Sequence, residues 1–301
     1  ISSSDDALTF GAITLGNNVT IDTNATSNAG DITIAAVTGG SNNLTLSTGN
    51  NISGADITAS GAISGVTTLT LADVGGTASF SADVDVTTLT IDNTVANVSI
   101  TGSGSSVTNA VTFGNDGTLT IGDASSDSFA FNGGLTVTTG STVTLNASSI
   151  SSSNDAITFG AVTLGSNITI DTNATDGAGD ITIGAVTGGS NTLTLTTENN
   201  VANADITASG VISGVTTLTL ASVGGTATLS GDVDVTTLAV DNTVANVAFT
   251  GNGSSVTNAF TPANDGTFVF GTSGGTQTYN AGLTTTSVGS TVTLNGTIAT
   301  S

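Results

Sequence analysis

The 301-residue chain contains no lysine, arginine, histidine, cysteine, methionine or tryptophan, and only one proline and one tyrosine. Each absence excludes a kind of chemistry. Without Lys or Arg nothing displaces counter-ions from a phosphate backbone, so nucleic acid is not an expected partner. Without His or Cys there are no ligands for zinc, haem or iron–sulfur centres. Thiol and Schiff-base nucleophiles, histidine general bases and disulfides disappear with them. No apolar run approaches the roughly 18 residues of a membrane-crossing helix. Aromatic residues, at 4%, are too few for the girdles of a transmembrane barrel, so membrane insertion is not expected. What remains is 22 acidic side chains with no basic partner and a formal charge of −22.

High charge with few aromatics can mark a disordered chain. Here 37% of residues are hydrophobic and the mean hydropathy is +0.32. The apolar residues are mainly Val, Ile and Leu, alternating with Thr. β-Branched residues in a two-residue alternation suit a half-buried strand and disfavour a helix. Forty glycines, with many Asn and Asp, supply the turns. The reading is all-β, with no helices.

The sequence repeats. Gly65-Val-Thr-Thr-Leu-Thr-Leu-Ala72 returns at Gly214 to Ala221, and Asn93-Thr-Val-Ala-Asn-Val98 at Asn242 to Val247. Gly104-Ser-Ser-Val-Thr-Asn-Ala110 returns at Gly253 to Ala259, and Ser141-Thr-Val-Thr-Leu-Asn146 at Ser290 to Asn295, each pair offset by 149 residues. A one-residue deletion near Tyr279 is restored before Gly289. The chain is therefore read as copy 1 over residues 1–149, copy 2 over 150–298 and the start of a further unit over 299–301. It begins at Ile1 rather than Met, and neither end carries capping units of distinct sequence, so a segment of a longer chain or a stacking protomer is expected.

Within each copy a finer motif recurs, apolar–Thr–apolar, as at Val19-Thr-Ile21, Ile32-Thr-Ile34, Leu44-Thr-Leu46 and Leu119-Thr-Ile121. Every second motif lies about 20 to 25 residues on, and the intervening segments are rich in Gly, Asn and Ser. Antiparallel sandwiches show similar turn spacing. Strands this short, in units this alike, instead predict a parallel β-helix, or β-solenoid, of about 20–25 residues per coil. One period then holds roughly six or seven coils, at ~4.8 Å per coil. The middle Thr faces outward and its neighbours stack inward. Phe113 is matched by Pro262 in the second copy, which predicts a shortened or bulged strand there, because proline cannot donate to a ladder.

The phrases Gly30-Asp-Ile-Thr-Ile34, Ala36-Val-Thr-Gly-Gly40, Asn43-Leu-Thr-Leu46, Gly61-Ala-Ile-Ser-Gly65 and Phe131-Asn-Gly-Gly-Leu135 resemble the strand repeats of large secreted bacterial proteins of the filamentous-haemagglutinin and autotransporter-passenger type. The resemblance extends over the whole chain. It implies a right-handed parallel β-helix and a role in adhesion or surface structure. That family's secretion domain and anchoring barrel have no counterpart in these residues. The calcium-binding Gly-Gly-x-Gly-x-Asp nonapeptide is also absent.

Carboxylates are nearly the only ionisable side chains. Asp31 and Asp56 each precede a strand and lie 25 residues apart, about one coil, and Asp180 and Asp205 copy them. Stacked, such pairs would sit about 5 Å apart, where like charges raise pKa values or recruit a cation. Asp83 and Asp85 alternate with Val84 and Val86 on one face, and Asp232 and Asp234 copy these. Such groups are either solvated turn residues kept for solubility or oxygen ligands for a metal, and the metal that oxygen ligands suit is Ca²⁺. No cofactor is required. The spacing of Asp83 and Asp85, about 6.7 Å along a strand, is close to that of an inverting glycosidase pair. Lacking basic residues and aromatic platforms, a catalytic site is not expected. Outward pairs at Thr68/Thr70, Thr142/Thr144 and Thr217/Thr219 give the threonine ranks of ice-binding solenoids, yet Thr is also an ordinary strand residue. Asn18-Val-Thr20, Asn24-Ala-Thr26 and Asn167-Ile-Thr169 are glycosylation sequons.

The expected function is an extracellular or cell-surface structural solenoid, a repeat of a filament, sheath or matrix fibre. Its partners would be itself, divalent cations and surface or matrix polysaccharide. Lacking Lys and Arg, it offers trypsin-like proteases no cleavage site, and lacking Cys and Met it offers oxidants little to attack. The second reading is the stalk of a giant adhesin with its binding tip elsewhere. A polysaccharide-acting β-helix enzyme is third.

Overall fold

The computed structural model describes residues 1–27, 30–137, 140 and 142–300. Ser141, which opens one repeated phrase, and Ser301 lie outside the described residues. All regular structure among the described residues is β-strand, and no helix is long and apolar enough to cross a membrane. The chain divides into two units, Ile1–Ser148 and Ser149–Ser301. Both are parallel β-solenoids, with about 13 coils in the chain.

In the first unit three faces are built from parallel strands. The first comprises Leu8–Phe10, Ile32–Ile34, Ile57–Ala59, Thr77–Phe80, Asn97–Ile100, Thr118–Ile121 and Thr142–Leu145. Leu8 lies opposite Ile32, then follow Ile57, Ala78, Val98, Leu119 and Val143, so successive coils take 24, 25, 21, 20, 21 and 24 residues. In the second unit Ile157, Ile181, Ile206, Ala227, Val247, Phe268 and Val292 repeat those six spacings. The 20–25-residue coil expected from motif spacing is the observed one.

The alternation sets the core. Strands such as Ile32–Ile34 and Ile57–Ala59 read buried, exposed, buried, with Thr outermost. Each inward Val, Ile or Leu removed from water contributes about 1.5–3 kcal/mol. Size is balanced along a column: Ala59 lies opposite Phe80, so a large ring stacks on the coil with the smallest side chain, as close packing demands. Outward, the first face of unit one carries Thr9, Thr33, Thr58, Ser79, Ser99, Thr120 and Thr144 in register.

Two long faces turn a corner without a break. Val37–Ser47, Ile63–Ala72 and Val84–Ile91 each run from the second face into the third. Around Pro262 the second unit keeps only an isolated bridge, Phe260 to Leu283, where the first unit has the strand Val111–Phe113. The missing proline N–H accounts for the loss.

Candidate functional site

Asp31 and Asp56 stack one coil apart, and each serves as a rung between coils. The Asp56 N–H donates to Asp31 Oδ1 at 2.9 Å, and the Thr77 N–H donates to Asp56 Oδ1 at 2.7 Å. Two coils beyond Asp56, Asn97 holds the same position, with its Oδ1 accepting from the Thr118 N–H at 2.9 Å. In the second unit Asp180 accepts from Asp205 N–H at 2.8 Å, Asp205 from Thr226 N–H at 2.7 Å and Asn246 from Thr267 N–H at 3.0 Å. Where Asp or Asn leads a strand at this corner, its side-chain oxygen takes the strand-leading backbone N–H of the next coil, whereas the Asn97 N–H itself goes to the Gly76 carbonyl at 3.2 Å. The oxygen matters more than the charge, because Asn replaces Asp in the same role.

Asp5 and Asn154 make the same point at another corner. Asp5 Oδ1 accepts the Thr26 and Ser27 N–H groups, both at 2.7 Å, which holds its pKa below the usual carboxylate value. Asn154 accepts the Thr175 and Asp176 N–H groups at 2.6 and 2.9 Å.

Asp83 and Asp85 lie on one side of their segment. Asp83 Oδ1 accepts from Gly104 N–H at 2.9 Å and Asp85 Oδ1 from Ser106 N–H at 3.1 Å. Partial burial raises the Asp85 pKa, the negative Asp83 raises it further, and the Ser106 N–H opposes both. Asp232 Oδ1 accepts from Gly253 N–H at 2.7 Å. Asp234 is raised by partial burial, against the Ser255 N–H, with Asp232 adding to the rise. Ca²⁺ takes six to eight oxygens, and among the described residues no three carboxylates converge to hold a metal ion.

Asp85 also lines a recess that charge-based reading of the sequence missed. It lies on the corner between the second and third faces and is lined by Ser41, Thr67, Asp85, Thr87, Ser106 and Thr108, with a volume of about 430 Å³. Register explains it. Val37, Ile63 and Val84 stack on one side of the corner, and Leu44, Leu69 and Leu89 on the other. The path between them therefore shortens from seven residue steps to six to five, and the corner is cut back coil by coil. The surplus is absorbed at Gly40, Ser41 and Gly65, with φ of 56°, 63° and 65°. The second unit repeats the taper from Val186, Ile212 and Val233 to Leu193, Leu218 and Leu238. Its recess, lined by Ser190, Thr216, Asp234, Thr236, Ser255 and Thr257, has about 310 Å³. The signal in the sequence was this shrinking interval between inward residues.

A second feature missed in the sequence belongs to the second unit alone. Asp171 is half-buried and its pKa is pushed up to about 6. Burial is the main cause, the Asn173 N–H opposes it, and the charge and hydrogen bond of Glu198 reinforce it. Glu198 sits at a φ of 51°, and the first unit has Gly49 at the corresponding corner with a φ of 70°.

Of the threonine pairs, Thr68/Thr70 lie in register with Thr88/Thr90, whereas Thr219 lies opposite Ala239 and that rank is interrupted. Compared with known proteins, the chain matches no protein-family model, no curated protein and no solved structure.

Proposed function

We propose that the chain is a repeat segment of an extracellular structural β-solenoid, part of a filament, sheath or matrix fibre. The observation that carries this reading is the use of its polar side chains as cross-coil fasteners. Asp31, Asp56 and Asn97 take backbone N–H groups of the next coil. Inside another corner, Thr48 Oγ1 donates to Asp73 O, one coil away, at 2.7 Å. A chain in which several carboxylates tie one coil to the next, and whose composition offers no trypsin site, suits long exposure outside a cell.

Electron microscopy and fibre diffraction of native material at near-neutral pH test the proposal. Long filaments with a ~4.8 Å repeat along the fibre axis support it. Thin projections ending in a distinct knob would replace it with an adhesin stalk. Confinement of the protein to the cell interior would overturn both.

A further inference from the structure

We propose that the tapered corner recess is a binding site for a neutral β-linked polysaccharide chain lying along the solenoid axis, one site in each copy. The site stands on the corner geometry and holds for filament and stalk alike. Its volumes, about 430 and 310 Å³, fall within the range of small-ligand sites.

The lining selects the ligand class. Ser41, Thr67, Thr87, Ser106 and Thr108 come from four successive coils. Each hydroxyl both donates and accepts, which suits a ligand that also does both at every residue, as a sugar chain does. Asp85, on the most cut-back of the coils that run through the corner, only accepts, and adjacent sugar hydroxyls can donate to it together. An anionic glycan is disfavoured by Asp85 and by a chain of charge −22 with no Lys or Arg. A cation would find a single carboxylate among the lining side chains, too little charge for tight Ca²⁺ binding, which rises with the number of charged ligands.

Spacing selects the linkage. Parallel strands repeat every ~4.8 Å, so four coils span about 14 Å. A β-1,4-linked pyranose chain is extended and advances by about one ring length per sugar, close to one coil. Each coil then faces one sugar, and because successive sugars turn different edges to the groove, a lining of hydroxyls that both donate and accept suits every one of them. An α-1,4-linked chain curls away from a straight groove and loses that match.

The test is calorimetric titration of the full 301-residue chain with cellohexaose and xylohexaose, with maltohexaose as the curled comparison. Saturable binding of at least one β-linked probe at two sites per chain, with maltohexaose at least about tenfold weaker, is expected. The double variant Thr87→Phe/Thr236→Phe fills both recesses from outward-facing positions. It should abolish binding while leaving the melting temperature and circular dichroism unchanged. Asp85→Asn/Asp234→Asn keeps the shape and should weaken binding about tenfold, through loss of charge-assisted hydrogen bonds. No binding of either β-linked probe, equal binding of maltohexaose, or full binding by the folded recess-filled variant would each overturn the proposal.

Discussion

The Tyr279 hydroxyl donates to Gln277 Oε1 at 3.0 Å inside the core of the second unit. The first unit has Phe129 and Phe131 at the corresponding positions, both buried. The Gln277 amide Nε2 donates in turn to the Phe249 and Gly251 carbonyls at 2.9 and 3.2 Å. Two polar groups have thus entered an apolar stack together, each supplying what the other needs. Burial raises the Tyr279 pKa, so the phenol remains a donor at neutral pH.

This pairing predicts strong coupling. Tyr279→Phe leaves a buried carbonyl oxygen without its donor and should cost about 1–3 kcal/mol. Gln277→Phe strands the hydroxyl and should cost a similar amount. The double variant restores the Phe–Phe arrangement of the first unit and should return to within about 1 kcal/mol of the parent. A double-mutant cycle from denaturant midpoints measures the coupling. Additive losses would show that the two residues act independently.

The corner rungs predict that shape outweighs charge. Asp56→Asn keeps an oxygen for the Thr77 N–H and should change stability by no more than about 0.5 kcal/mol. Asp56→Ala removes it and should cost about 1–2 kcal/mol. Hydrogen exchange at the Thr77 amide gives the local readout, accelerated in the Ala variant and near parental in the Asn variant. Equal effects of the two substitutions would mean that the charge, not the hydrogen bond, matters.

These rungs also show how far the sequence could be read. The alternation in Ile32-Thr-Ile34 identifies inward and outward residues because strand geometry has a period of two. The 25-residue interval from Asp31 to Asp56 announces their stacking. Their partners were hidden, because the donors are backbone N–H groups that no residue type advertises. Asn97 carries no charge to mark it, although its amide oxygen fills the same position. The tapered corner is written in the intervals Val37–Leu44, Ile63–Leu69 and Val84–Leu89, yet those intervals acquire meaning only once the coils are aligned. Asp171 and Glu198 lie 27 residues apart on either side of a turn, and nothing in their spacing announces that they meet.

That carboxylate pair predicts a pH dependence of definite sign. Folding raises the Asp171 pKa to about 6, above the roughly 4 of an unfolded chain. The folded state therefore binds the proton more tightly. The stabilisation is fully present below about pH 4 and is lost as pH rises through about 6. Discounted for solvent screening of a half-exposed pair, the loss is on the order of 1 kcal/mol. Glu198→Gly, which installs the residue of the first unit, removes both the repulsion and the left-handed conformation of a non-glycine residue. It should stabilise the protein by about 1–2 kcal/mol at neutral pH and flatten this part of the pH profile. Asp171→Asn should flatten the profile while keeping the backbone strain. Thermal melts of the three proteins from acid to neutral pH decide it, and a parent more stable at neutral pH than near pH 5, with the Glu198→Gly variant showing the same rise, would contradict the assignment.

The tapered corner depends on a backbone contact that only glycine permits. A Cβ on Gly39 would lie 2.3 Å from the Gly65 carbonyl oxygen and 2.4 Å from the Val66 nitrogen. Those atoms belong to the next coil and are fixed by the sheet, so they cannot swing aside as a flexible side chain would. Gly39→Ala should therefore push two coils apart and cost about 2–4 kcal/mol. A Cβ on Gly188 would lie 2.4 Å from Val215 N and 2.5 Å from Gly214 O, so Gly188→Ala should behave alike in the second unit. Gly16 is the control, since a Cβ there meets nothing within 4 Å. Gly16→Ala should be neutral, or stabilising by roughly 0.5 kcal/mol through the entropy of the unfolded chain. Denaturant midpoints of the three variants test the contrast. If Gly39→Ala and Gly16→Ala proved equally benign, the close approach of the two coils would not be what shapes this corner.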